Sequence, residues 1–338
     1  MTQMNAHIDA LYGRSEAQVL GALQSLQELW DDASSTEREA LEAACARSVD
    51  RLTPGSGRML LRGLDEPRPA LVRWLCACAA GPHLTAVTPG FQLALERWGA
   101  GSSAVREALI PLLDDEDAGL RGSAQQGVWT LARHAFFGLV EGDDRIVAAL
   151  WRGVGRGDYR AGAIVAVHAL RFEPSRLAEL LSAPGRAATG AVSTLDRDRV
   201  LATPHLASLE SSLRAVEKKG EKAAREGSTR LLARTWLVGG APGELERRLA
   251  KGGKRDQTAV GLRYAAEDGL PLGAVIPRLA DLLTPTCTPF QRWTAAEALA
   301  AAVRAGELRD GPGWAALVSG LDDADPRVAK ACGVVSAA

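Results

Sequence analysis

Two stretches decide how this chain folds: Leu113-Asp114-Asp115-Glu116-Asp117-Ala118-Gly119-Leu120-Arg121 and Leu321-Asp322-Asp323-Ala324-Asp325-Pro326-Arg327. Each sits between two apolar runs at helical spacing, 105–113 and 120–132 in the first case, 314–321 and 327–335 in the second. An Asp at such a turn accepts from the orphan N–H groups of the following helix and meets its positive dipole end. Pro326, one residue after Asp325, suits the first helical position. The arginine that follows has the turn carboxylates within reach. Both stretches predict helix, polar turn, helix.

The same unit returns outward from these points. Leu64-Asp65-Glu66 separates 59–64 from an apolar run over 70–80, and Gly155-Arg156-Gly157-Asp158 separates 145–154 from 159–170. Residues 275–283 and 290–303 flank a turn at 284–289. Arginine recurs near the start of each second helix, at Arg73, Arg121, Arg160, Arg292 and Arg327, followed by Ala124, Ala163, Ala295 and Ala331. The alanines let helices approach closely. Toward the N-terminus, Ser15 with Gln18 and Thr36 with Glu39 have capping-box spacing ahead of apolar helical runs.

These turns resemble HEAT repeats, the two-helix units of α-solenoids. Arg121 and Arg160 stand 39 residues apart and Arg292 and Arg327 stand 35 apart, close to that repeat length or somewhat below it. The resemblance implies an all-α superhelical stack of antiparallel helix pairs, and it brings no catalytic residue. The expected organisation is N-terminal pairs over 1–183, a connection over 184–205 that reads as irregular or as one short helix given Gly190, Ser193, Thr194 and Pro204, and C-terminal pairs over 206–338, together one continuous solenoid. In the second half, 206–224, 231–238, 245–249 and 259–266 read as helices.

Composition agrees with a soluble helical fold. The 338 residues are 46% hydrophobic and 24% charged, with Ala and Leu dominating and only 5% aromatic. Net charge is −1, which argues against a general nucleic-acid binder. That average hides a dipole: residues 1–60 carry nine acids against five bases, and 214–255 carry twelve bases against five acids. The turn 251–256 (Lys-Gly-Gly-Lys-Arg-Asp) is basic where the others are acidic. The start lacks a signal-peptide pattern and no stretch suits a membrane span, so the expected location is the cytoplasm. Five cysteines, an odd number scattered mainly among apolar residues, read as reduced core side chains.

Catalytic readings find little support. Cys76 and Cys78 are separated by one residue, too few for a zinc knuckle, so with Cys45 and His83 they read as packing. Gly252-Gly253-Lys254 follows no strand and lacks phosphate-loop spacing. The cluster Asp114 to Asp117 lacks calcium-loop grammar and reads as helix capping. No metal or cofactor is expected.

The function expected is a non-enzymatic scaffold of a bacterial type that binds another protein on a concave face, such as an adaptor, a regulator or an immunity protein. The candidate contacts are Arg121, Trp129, Arg247, Arg248, Lys251, Lys254, Arg255, Arg292 and Trp293. The alternative is a nucleic-acid-binding or DNA-glycosylase-like HEAT protein that uses the basic 214–255 region, with Arg225, Arg230 and Arg234 added to the basic residues already named there.

Overall fold

A computed structural model describes residues 103–134, 143–250 and 254–337, together with scattered positions over 6–37. Among the described residues every regular element is helical. The chain divides into two compact units, Met1–His168 and Ala169–Ala338. In the first, α1 (Ser103–Leu113) packs on α2 (Ala118–His134) and on α3 (Asp144–Gly155). The boundary falls inside α4 (Tyr159–Phe172).

The second unit runs through α5 (Leu177–Leu181), α6 (Ala187–Arg197), the short α7 (Arg199–Ala202), α8 (Leu206–Lys219), α9 (Lys222–Val238), α10 (Pro242–Ala250) and α11 (Arg255–Glu267). It closes with α12 (Ile276–Asp281), α13 (Pro289–Arg304), α14 (Gly311–Ser319) and α15 (Pro326–Cys332). Each helix packs on its neighbours in a regular order. One series of contacts joins α6 to α9, α9 to α11, α11 to α13 and α13 to α15. The others join α5 to α8, α10 to α12 and α12 to α14, while α8 and α10 do not pack closely. This order is compatible with a helical repeat.

The core explains the order. Leu206, Leu209, Leu213, Leu245, Leu249, Leu279 and Leu317 are buried on one set of helices. The other set buries Leu195, Leu231, Leu232, Leu262 and Leu299, and glycines set its closest approaches. A Cβ on Gly227 would stand 2.6 Å from the Val192 side chain of α6, and one on Gly261 would stand 2.5 Å from the Arg230 carbonyl of α9. Helix α13 buries Ala295, Ala296, Ala298, Ala300, Ala301 and Ala302, so it is apolar nearly all round, as a central helix must be.

Three expectations need correction. Residues 184–205 are not irregular, and they hold more than one short helix: α6 spans Ala187–Arg197 and buries Ala187, Ala191, Val192 and Leu195, and α7 follows at Arg199–Ala202. Gly190 and Thr194, which read as breakers, are buried small residues of that helix. The helix expected over 206–224 ends at Lys219, because Gly220 turns extended (ψ 170) and α9 begins at Lys222. Near the N-terminus the capping pair is Ser34 with Glu37: the Glu37 carboxylate accepts from the Ser34 N–H at 3.0 Å, and the Ser34 hydroxyl accepts from the Glu37 N–H. Thr36 lies inside that turn of helix, and Glu39 and Ser15 lie outside the described residues.

Candidate functional site

The turn arginines are structural brackets. Arg121, on the first turn of α2, donates Nη1 to the carbonyls of Asp115 and Glu116 in its own turn at 2.8 and 2.9 Å. Its Nε and Nη2 go to Asp158, ahead of α4, where Gln125 also donates at 2.9 Å. Arg292 repeats this on α13, with Nη1 to the Cys287 carbonyl at 2.8 Å and Nε and Nη2 to the Asp323 oxygens. The expectation that these arginines bind their own turn carboxylates is therefore corrected: they hold their own turn by its carbonyls and the next turn by its carboxylate. Arg327 differs and folds back onto its own Asp325, at 2.7 Å. The acidic cluster is taken up within the fold as well. Asp114 takes Arg152 and Arg156, and Asp117 accepts from the N–H groups of Gly119 and Leu120.

The basic region carries its own counter-charges. Near α8 and α10, buried Trp236 has the guanidiniums of Arg214 and Arg248 over its ring, at 5.0 and 5.1 Å, and donates its indole N–H to Glu210 at 2.9 Å. Beside it Glu217, 5% exposed, accepts two hydrogen bonds from Arg248 (2.7 and 2.8 Å), one from Thr229 (2.9 Å), and an ion pair from Lys254 at 2.8 Å. Burial alone would raise the Glu217 carboxyl, but the hydrogen bonds from Arg248, Lys254 and Thr229 outweigh it and hold it at about 2. Arg248 and Lys254 are thus brought together. Arg247 is exposed and tied to Glu244, Arg255 donates to the Ala250 carbonyl, and Lys251 lies outside the described residues. Arg230 reaches Asp196 and Gln257, and Arg234, 3% exposed, reaches Asp268 and Thr203. Internal neutralisation on this scale weighs against a phosphate-binding stripe.

A different set of residues faces outward along the series α11, α13, α15. Phe290, 39% exposed, stacks at a tilt on Trp293 with ring centroids 5.5 Å apart. The exposed Arg327 guanidinium of α15 lies over the Trp293 ring, at 5.4 Å. On α11, Arg263 pairs with Glu267 and approaches Glu297 of α13 at 3.9 Å, and Tyr264 carries Arg199 over its ring at 4.5 Å. Trp293 is legible as a candidate contact; Arg327 is legible only as a turn arginine, and Phe290 and Tyr264 carry no such signal by themselves. Their signal was available in part, since Phe290, Trp293 and Glu297 fall at helical spacing on one side of α13. Trp129 is half-buried on α2 in the other unit. Cys332 packs under Gly320, and burial pushes its thiol up to about 11, as for an inert core cysteine. Cys45, Cys76, Cys78 and His83 lie outside the described residues.

No protein-family model and no curated protein matches the chain. Among solved structures, the crystal structure of an engineered protein aligns with 99% of this chain and 95% of its own at 16% identity, with a TM-score of 0.17, a correspondence too loose to bear on the fold. Among the described residues no helix is long and apolar enough to cross a membrane.

Proposed function

We propose that this chain is a HEAT-like α-solenoid that acts as a non-enzymatic protein-binding scaffold, with the second-helix series α6, α9, α11, α13 and α15 forming its inner, concave side. The alternating order of contacts supports antiparallel pairs stacked in two rows. Close approach at Gly227 and Gly261 sets the spacing of the second row, and the spacing within a row governs how such a stack curves.

The observation that carries a binding role is the outward cluster of Phe290, Trp293 and Arg327. Aromatic and arginine side chains on a rigid helical face are the residue types that dominate protein interfaces. Adaptors, regulators and immunity proteins would each use such a face. The test is to identify a partner by cross-linking in the native host and then measure its affinity for purified wild type and for Trp293→Ala and Arg327→Ala. A loss of about tenfold or more in either variant, with an unchanged melting profile, supports the reading. Partner affinity indifferent to both, or a hydrolytic turnover abolished by one Asp or His substitution, sinks it.

A further inference from the structure

Lys218, Lys219, Lys222 and Arg225 gather at the turn between α8 and α9, all exposed, and among the described residues Lys218, Lys219 and Arg225 form no ion pair. We infer that this edge docks an acidic segment of the partner protein. The inference rests on the protein-binding reading above and names the chemistry of what is bound.

The excess begins at Glu217. One buried carboxylate there holds two cations, Arg248 and Lys254, so the junction is already positive before its surface is counted. Lys218 and Lys219 follow at the exposed end of α8. Lys222, its side chain 85% exposed, opens α9, and its ion pair with Glu226 is long, at 4.0 Å. Arg225 is exposed one turn further on. Among the described residues none forms an ion pair with Lys218, Lys219 or Arg225. The nearby Glu221 is drawn to Arg186 at 3.7 Å and Thr189 at 3.4 Å, away from these lysines. Half-buried arginines on the neighbouring helices are matched, Arg230 with Asp196, Arg263 with Glu267 and Arg292 with Asp323, while the exposed cations Arg304, Arg309 and Lys330 lie apart, later in the chain.

The kind of cation points to the kind of partner. Three of the four surface groups are lysines, compact hydrated charges on flexible stems, which suit carboxylates spread along a polypeptide better than a bidentate site. No aromatic side chain lies in 217–226 to stack a nucleobase, and Trp236 is buried under its arginines. An acidic protein segment fits both facts, and the local field would speed its docking in a salt-dependent way.

The full chain should be titrated against a fluorescent poly-glutamate peptide, with single-stranded oligothymidine of equal charge as the rival, at about 0.01 M and about 0.15 M salt. Poly-glutamate is expected to bind at low salt, more tightly than oligothymidine, and to weaken as salt rises. Lys218→Glu/Lys219→Glu/Arg225→Glu should lower its affinity by about tenfold or more, and the milder Lys218→Gln/Lys219→Gln should lower it less while keeping the helical circular dichroism. No poly-glutamate binding at low salt, equal binding by the variants, or tighter binding of oligothymidine overturns the inference. Trp293→Ala should leave poly-glutamate affinity unchanged, so this inference and the scaffold reading fail on different variants.

Discussion

Arg292 binds both oxygens of Asp323, at 2.7 and 2.9 Å, across 31 residues of chain, while its remaining nitrogen holds the Cys287 carbonyl of its own turn. Arg121 makes the corresponding bracket to Asp158 across 37 residues. Both partners of the Arg292 pair are 11% exposed, so little water screens it. Asp323→Ala should therefore cost about 2–4 kcal/mol in urea unfolding, because it strands a desolvated guanidinium. Arg292→Lys should not rescue the site, since an ammonium cannot span both oxygens and the carbonyl. The exposed Arg145–Glu107 pair, 58% and 57% exposed, provides the contrast: Glu107→Ala should change stability by less than about 0.5 kcal/mol.

That bracket marks how far the sequence could be read. Leu113-Asp114-Asp115 and Leu321-Asp322-Asp323 announced the turns, because capping and dipole effects act within a few residues. The partner of each arginine was not legible, because it lies on another helix pair and depends on register. The same limit obscured α6: Gly190 and Thr194 are weak helix formers locally, and they sit buried in a helix whose Val192 packs against Gly227 of α9. The basic region was read correctly as composition. That its charges are mostly neutralised by Asp196, Glu217, Glu244 and Asp268 is a fact of three dimensions.

Glu217 should be the most costly carboxylate to remove in the second unit. Glu217→Gln leaves Arg248 and Lys254 without their shared counter-charge, and a loss of about 3–5 kcal/mol is expected. The acid limb gives an independent reading. The folded carboxyl sits at about 2 against an ordinary 4.5, so its contribution is fully present above the unfolded value and disappears as pH falls from 4.5 toward 2. Wild type should lose stability steeply through that window in pH-dependent urea melts. In Glu217→Gln the corresponding part of the slope should be absent, and a variant as steep as wild type would disprove the assignment.

Thr288 opens α13 with a capping box: its hydroxyl accepts from the Gln291 N–H at 3.3 Å, and the Gln291 side chain accepts from the Thr288 N–H at 3.2 Å. Thr288→Ala should cost about 1 kcal/mol. Because α13 also carries Phe290 and Trp293, loosening its first turn should broaden the Trp293 fluorescence response before global unfolding. Thr284→Ala is the control, since Thr284 is exposed in the preceding loop and caps no helix of this row.

Gly261 separates helix propensity from packing. Replacing glycine by alanine inside a helix ordinarily stabilises by about 1 kcal/mol. At Gly261 the new Cβ would stand 2.5 Å from the Arg230 carbonyl and 2.8 Å from its Cα, which are backbone atoms of α9 that cannot swing away. The helices must separate, and the pairs Arg230–Asp196 and Arg230–Gln257 would be strained with them. Gly261→Ala should therefore destabilise by about 1–3 kcal/mol. Gly243→Ala, in α10 where the added methyl would meet no atom within 4 Å, should be neutral or stabilising. Opposite signs for the two substitutions in thermal melts would show that close approach of α9 and α11 sets the spacing of the second row. A stabilising Gly261→Ala would show that the helices are free to part, and the proposed curvature would lose its cause.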